Sequence, residues 1–328
     1  YQIPTGSMEK TLLVGDHLFV DKFTFGPRLP MTPFSYPIFH NSFPFLNVKS
    51  YIGLQSIPYT RVPGIRFVEN NDVVVFNFPG GDTALNDPRM PNGLIGHNYE
   101  EILRDEAFLI CLMEGHDVTY FEANYDKYLT AARKRFQDKG KVYSRQVELI
   151  DQKQGYTQIN GVLARPVDKR ENYIKRCVGL PGDLVEVIDK ELYINGVLAA
   201  QPQEMQYNYT YAGHQHVYAL AQPRDWTEIE NNFYLQNFKV SVMELGMDDS
   251  GNVTIPLSKK LYNELRTTFT ELRPYNKEKG YYNKLIREGK TISYYHIFPN
   301  NPQYDWTEDN FGPLRIPKAG EVVQLDQK

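Results

Sequence analysis

Residues 172–183 read Asn-Tyr-Ile-Lys-Arg-Cys-Val-Gly-Leu-Pro-Gly-Asp, and they place Lys175 among apolar and aromatic neighbours in a predicted strand. Burial in such a strand disfavours the ammonium form, because the charge loses its hydration, and the pKa of the lysine falls. A neutral amine can accept the proton of a serine hydroxyl. Taken alone, Lys175 favours a simpler interpretation, a lysine at a strand edge whose charged end reaches water.

Short strands are predicted wherever a turn pair precedes a run of apolar residues. Three such runs are residues 17–20, 73–76 and 184–187. Asn195-Gly196 is a strong hairpin signal, because both central positions of a tight hairpin turn need positive φ. The hexapeptide Ile-Asn-Gly-Val-Leu-Ala occurs at 159–164 and again at 194–199, which predicts two similar hairpins. These strands predict a mostly β protein.

Two long segments interrupt the strand pattern. Apolar residues at helical spacing predict helices between residues 102 and 136 and again between 257 and 272. Asp-Trp-Thr-Glu at 225–228 and at 305–308 has the spacing of a capping box, which predicts two further helix starts.

The expected organisation is therefore a β domain with two long α+β insertions. Its parts are residues 1–82 (first part of the β domain), 83–167 (helical insertion), 168–200 (lysine motif and hairpin), 201–312 (second, α+β insertion) and 313–328 (return strand).

Residues Phe23–Pro63 combine nine aromatic residues with many prolines. Proline at this density excludes a long helix or a central strand. A loop this long and this apolar either packs on the protein or contacts something apolar, such as a membrane surface. The sequence leaves both alternatives open.

Composition excludes several function classes. A formal net charge of −4 and a pI near 6.0, with no basic block, argue against nucleic acid as a partner. Cys111 and Cys177 are too few for a disulfide framework and match no metal spacing. His214 and His216 have no further ligands at suitable spacing, so we expect neither a metal nor another cofactor.

A second motif lies near the start of the chain, where residues 3–16 read Ile-Pro-Thr-Gly-Ser-Met-Glu-Lys-Thr-Leu-Leu-Val-Gly-Asp. Ser7 alone would be interpreted as a turn residue. Together with residues 71–76 and with the lysine motif, however, the stretch resembles the type I signal peptidases, bacterial membrane-anchored serine proteases with a Ser/Lys dyad. All three motifs occur in the order typical of that family.

The resemblance implies that Ser7 attacks the scissile carbonyl and that Lys175 takes the serine proton. It also implies an oxyanion hole formed by the Ser7 N–H and the Thr5 hydroxyl. The residues that would line shallow pockets for small side chains before the cut are Ile3, Pro4, Met8, Leu12, Tyr173 and Ile174.

The expected reaction is removal of signal peptides from exported preproteins after Ala-x-Ala, at the outer face of the bacterial cytoplasmic membrane. The hydrophobic anchor that precedes the serine motif in this family, and the Gly-Asp-Asn-Arg motif that follows the lysine motif, do not occur in this sequence. We therefore expect a catalytic region truncated at both ends.

Three other interpretations compete with the signal peptidase dyad. Ser7 to Lys10 also form the S-x-x-K motif of penicillin-binding proteins, but Lys290-Thr291 is followed by Ile292 rather than by the glycine that those enzymes carry. Self-cleaving Ser/Lys repressors share the chemistry, yet no DNA-binding helix-turn-helix precedes residue 7. A catalytically inactive peptide-binding homologue stays as the alternative, because a fold does not guarantee function.

Overall fold

The structure is a computed structural model of the 328-residue chain. It describes residues 1–3, 5–36, 43, 49–52, 57–81, 83–85, 98–137, 141–142, 157–158, 161–213, 233–240, 244–248, 250–290, 294, 297–299, 301 and 303–322. The chain divides into two compact units. The first unit comprises Tyr1–Phe19, Gly179–Lys279 and Trp306–Lys328, and the second comprises Val20–Val178 and Gly280–Asp305.

Strands and helices occur in similar amounts. The strands are β1 (Val73–Asn77), β2 (Thr83–Leu85), β3 (Lys141–Val142), β4 (Thr157–Gln158), β5 (Val162–Ala164), β6 (Asn172–Arg176), β7 (Leu184–Ile188), β8 (Glu191–Ile194), β9 (Val197–Leu198), β10 (Gln206–Tyr211), β11 (Gly246–Met247), β12 (Val253–Ser258), β13 (Leu272–Pro274) and β14 (Phe311–Arg315). The helices are α1 (Tyr99–Met113), α2 (Val118–Ala123), α3 (Tyr125–Gln137), α4 (Lys259–Leu265) and α5 (Tyr281–Arg287), with single 3₁₀ turns at Gly6–Met8 and Val167–Lys169.

The protein is therefore a mixed α and β structure, and the expectation of a mostly β protein is not confirmed. The physical reason is that the sheets have only two to four strands each, while the segment from 99 to 137 is almost entirely helical. The division into five sequence segments stays a prediction.

The first unit contains two antiparallel four-stranded sheets. The order β14-β7-β8-β9 includes the tight hairpin predicted at Asn195-Gly196, whose φ values are 53° and 77°. That positive φ at both positions is the reason why Asn-Gly suits the turn. The return strand β14 pairs with β7 from Phe311 to Arg315, and residues 323–328 lie outside the described residues.

The other sheet of the first unit, β11-β12-β10-β13, covers an aromatic core. Val253, Ile255 and Leu257 are buried at alternate positions of β12, as expected for one face of a strand. The predicted helix from 257 to 272 is thus shorter than expected, because Leu257 belongs to β12 and only 259–265 are helical. Its first turn begins at Ser258, whose hydroxyl accepts the Leu261 N–H at 3.3 Å.

The second unit contains the predicted helical segment. Helices α1 and α3 pack together, and their apolar faces form a core with Phe121 of α2. Periodic burial at Leu103, Ala107 and Cys111 of α1 confirms the helical spacing read from the sequence. Cys111 is fully buried and forms no disulfide, and burial raises the pKa of its thiol, so it is a packing residue.

Several local predictions are wrong. Residues 17–20 form no strand beyond a single bridge between Gln2 and His17. Residues 305–308 start no helix, because the Thr307 hydroxyl donates to the Lys277 carbonyl at 2.7 Å and accepts from the Asn310 N–H at 3.0 Å. The matching residues 225–228 lie outside the described residues. The first hexapeptide repeat is no hairpin in the described residues, since β5 pairs with β2 and β4 pairs with β3.

Candidate active site

Ser7 lies in the middle of the 3₁₀ turn Gly6–Met8 of the first unit, and it is exposed. The turn continues compactly, because Glu9 N–H donates to the Gly6 carbonyl at 2.9 Å and Leu12 N–H donates to the Met8 carbonyl at 2.8 Å. Ile3 and Met8 are buried on either side of the serine. Apolar anchors thus fix the turn while the serine side chain faces solvent.

Thr5 precedes this turn in an extended conformation, with φ −138° and ψ 154°. Its side chain is exposed and makes no capping hydrogen bond to the turn. The hydroxyl is therefore not consumed by local structure, as an oxyanion donor requires. Pro4 lies outside the described residues.

Ile3 is held by two backbone hydrogen bonds. Its N–H donates to the Asp16 carbonyl at 2.9 Å, and its carbonyl accepts from the Gly15 N–H at 2.9 Å. Gly15 has a φ of 97°, a conformation that favours glycine. The sequence predicts that Gly15-Asp16 starts a strand. In the structure the pair instead forms the turn that closes the serine motif.

Lys175 lies on β6 of the second unit, opposite Val74 of the antiparallel partner β1. Its Nζ atom is 5.9 Å from the centre of the Tyr173 ring, two residues earlier on the same strand face. The Tyr173 ring in turn lies 5.1 Å from the Phe78 ring and 6.4 Å from the Phe76 ring, measured between centroids. The amine thus lies near one aromatic ring, and Lys175 is half-buried.

Partial burial lowers the pKa of Lys175 below its ordinary value, with desolvation as the cause. This is the shift that a lysine acting as a general base requires, because it enlarges the neutral fraction of the amine. The lowered pKa agrees with a partly desolvated lysine on a strand, and the role of Lys175 as general base stays a prediction.

The loop before β1 and the residues after β6 are joined by hydrogen bonds that sequence reasoning missed. Asn71 N–H donates to the Cys177 carbonyl, Cys177 N–H donates to the Asp72 carbonyl, both at 2.7 Å, and the Asn70 side chain donates to the Val178 carbonyl at 2.8 Å. The Arg66 guanidinium lowers the pKa of Asp72 to about 2. These contacts fix the end of the strand that carries Lys175.

A second set of contacts, which the sequence did not reveal, joins the residues before β6 to the segment 23–63. The N–H and the hydroxyl of Thr32 both donate to one Asp168 carboxylate oxygen, at 3.0 and 2.8 Å. The buried Arg165 guanidinium donates to Glu171 at 2.8 Å. Part of the segment 23–63 therefore packs on the protein.

The structure groups the predicted site residues in two places. Ile3, Thr5, Ser7, Met8 and Leu12 lie in or next to the 3₁₀ turn of the first unit, and Tyr173, Ile174 and Lys175 share one strand of the second unit. The pairing of Ser7 with Lys175 stays a prediction. Among the described residues there is no cluster of three or more His, Cys, Asp or Glu side chains that could hold a metal ion. His214 and His216 lie outside those residues.

A comparison with protein families matches residues 127–247 to the model of signal peptidase, peptidase S26. Over these residues the chain is similar to the signal peptidases. The matched range contains β6 with Lys175, whereas Ser7 lies outside it. No curated protein and no solved structure matches the chain.

This similarity supports a signal peptidase-type function. In the part of the chain that the structure describes, no helix has the length and apolar character needed to cross a membrane.

Proposed function

We propose that the protein is a serine endopeptidase that removes signal peptides from exported preproteins after small residues, with Ser7 as nucleophile and Lys175 as general base. The observation that carries the proposal is Lys175 itself. It is a half-buried lysine, desolvated on an aromatic strand, within the range that matches the signal peptidase family.

The proposed reaction has two steps, acylation of Ser7 and hydrolysis of the resulting ester. The Ser7 hydroxyl oxygen attacks the scissile carbonyl carbon while its proton moves to the Lys175 amine. The C–N bond then breaks, Lys175 gives that proton to the leaving amine, and an ester to Ser7 forms. A water molecule that loses a proton to Lys175 cleaves the ester and regenerates the serine.

Two donors would stabilise the oxyanion that forms in each half of the reaction. They are the Ser7 N–H and the Thr5 hydroxyl. Such donors act mainly in the transition state, because the negative charge develops only there. The Thr5 side chain makes no capping hydrogen bond, which supports this role.

Selection of small residues before the cut is assigned to Ile3, Pro4, Met8, Leu12, Tyr173 and Ile174. Burial of Ile3 and Met8 supports shallow pockets, because rigid apolar walls leave little space for a large side chain. Ala-x-Ala would then be selected by exclusion of anything larger.

A membrane surface is the second proposed partner, at the outer face of the bacterial cytoplasmic membrane. Within the segment 23–63, Phe23, Phe34 and Tyr59 are 70%, 57% and 58% exposed. Aromatic rings prefer the headgroup level of a bilayer, where one end is apolar and the other is wet. Since Thr32 and Tyr51 of the same segment are buried, the segment packs on the protein with one part and exposes the other.

Membrane contact predicts that Phe34→Ser lowers co-sedimentation with anionic phospholipid vesicles at least about twofold, because a ring that partitions into the interface is lost. Phe298→Ser is the matched control, since Phe298 is 66% exposed in the same unit but lies outside the segment. If both variants and the parent protein bind the vesicles equally, the segment does not contact the membrane.

The pH dependence of cleavage follows from the lowered pKa of Lys175. Because the base must be neutral, kcat/KM should rise with pH and level off above the pKa of Lys175, with a midpoint below the ordinary lysine value of about 10.4. Tyr173→Ala exposes the amine to water, so the midpoint should move to higher pH, whereas Tyr173→Phe should retain it. A pH profile of kcat/KM for the three proteins measures this, and an identical midpoint in Tyr173→Ala would contradict the role of the aromatic strand.

The experiment that tests the proposed function is cleavage of a preprotein with an Ala-x-Ala site by the purified chain. Binding of the signal peptide without cleavage would favour the inactive peptide-binding homologue instead.

A further inference from the structure

A cavity of about 220 Å³ lies in the first unit, and the mechanism above does not use it. Its apolar lining residues are Phe238, Val240, Pro256 and Leu261, and its charged ones are Lys10, Lys239, Lys260, Glu204 and Glu264. Phe238 and Val240 are buried in the aromatic core below. The volume is smaller than a typical site for a drug-sized ligand, and it suits a side chain of a bound peptide.

Most of the charged side chains that line the cavity form no ion pair with another described residue. Lys239 donates to the Gln236 carbonyl at 2.9 Å. Within the described part of the chain, no ion pair is formed by Lys10, Lys260, Glu204 or Glu264. Since the lining has three lysines and two glutamates, its balance is positive.

The backbone conformation of two lining residues gives an independent reason to regard the cavity as a functional site. Lys10 and Lys239 both have positive φ, 65° and 59°. This conformation is uncommon for a residue with a side chain and is met mostly at Gly, Asn and Asp. Such outliers concentrate at functional sites, because surrounding structure must hold them in place.

One lining residue of the cavity, Lys10, is close to the nucleophile in the chain. Lys10 follows Ser7 by three residues, which limits the distance between their Cα atoms to about 11 Å. An extended substrate advances about 3.3 Å per residue, so three or four residues span that distance. The residues before the cut are already assigned to pockets around Ile3 and Met8. We therefore assign the cavity to residues that follow the cut.

We infer that this cavity is a subsite for an acidic side chain of the mature segment, three to five residues after the cut. The inference rests on the proposed function, since it needs a preprotein bound at Ser7. The apolar lining would contact the methylene groups of that side chain, and the lysines would attract its carboxylate.

The test compares preproteins that carry Asp, Asn or Lys at each of these three positions. At the best position, kcat/KM should fall about two- to fivefold from Asp to Lys at low salt, the range of an exposed charge pair. The preference should shrink in high salt, because screening weakens exposed pairs.

Lys260→Glu is the decisive variant. It should remove or reverse the preference for Asp while leaving cleavage of the Asn preprotein within about twofold. Folding should be retained, because Lys260 is exposed in the first turn of α4, where an acidic residue favours the helix dipole. Lys279→Glu is the matched control, since it makes the same charge change at an exposed position of the same unit that does not line the cavity.

Two failures are distinguishable. If the parent protein cleaves no preprotein, the proposed function fails. If it cleaves all of them with no charge preference after the cut, or if Lys260→Glu keeps the preference of the parent, the cavity is not this subsite and the proposed function stands.

Discussion

Ser7→Ala and Lys175→Ala should each lower kcat/KM for an Ala-x-Ala preprotein by at least about 10³-fold, because members of a nucleophile–base pair act as a unit and loss of either disables both. Lys175→Arg should be equally inactive, since an arginine stays protonated and cannot accept the serine proton. The measurement is the rate of appearance of the mature product.

Lys134→Ala is the matched control. Lys134 is exposed on α3, in the same unit as Lys175, and alanine is a good helix former, so activity should stay within about twofold of the parent. Activity that survives Lys175→Ala but is lost in Lys10→Ala would contradict the assignment and favour the S-x-x-K interpretation. Circular dichroism of each variant separates lost chemistry from lost folding.

Thr5→Val should lower kcat by about 10²–10³ and leave KM nearly unchanged, the usual effect of removing one oxyanion donor. Valine keeps the branched shape of threonine and removes only the hydroxyl, and Thr5 makes no capping bond whose loss would disturb the turn. Thr5→Ser keeps the donor and should stay within about tenfold of the parent, because it gains only side-chain freedom.

Single-turnover kinetics of the three proteins measure this effect on the chemical step. An unchanged kcat in Thr5→Val would exclude Thr5 from the oxyanion hole. An equal loss in Thr5→Val and Thr5→Ser would show that the shape of the turn, rather than the hydroxyl, is what matters.

The parts of the fold that the sequence predicted correctly are those that local chemistry determines. β1 and β7 follow a turn pair, the β8–β9 hairpin follows from positive φ at Asn195 and Gly196, and α1 follows from apolar residues at helical spacing. Each signal lies within a dozen residues of the element that it predicts. These predictions required no knowledge of long-range contacts.

The segments that the sequence predicted wrongly are those whose structure depends on residues far away in the chain. The capping-box residues 305–308 form a loop because Thr307 bonds to Lys277, thirty residues earlier. Residues 17–20 form no strand because only His17 finds a bridging partner. Tertiary context decides such segments, since local propensity is a weak preference.

The same division holds for the candidate site. The apolar neighbours of Lys175 in the sequence allowed a desolvated amine as well as an edge lysine that reaches water, and partial burial lowers the pKa of Lys175 in the structure. The contact of Thr32 with Asp168 joins residues 136 apart in the chain, so no spacing could reveal it. Likewise, the cavity beside Lys10 is closed by residues from 204 to 264, and no motif connects those residues with the serine.

The central claim is that Ser7 and Lys175 cut a signal peptide from its preprotein at one defined bond. Intact-mass spectrometry of a preprotein after incubation with the purified chain tests it most directly. The account predicts two products, cut after the second alanine of Ala-x-Ala, whose masses add up to the preprotein plus one water, and no products with Ser7→Ala. An uncut preprotein, or the same products from Ser7→Ala, would contradict it.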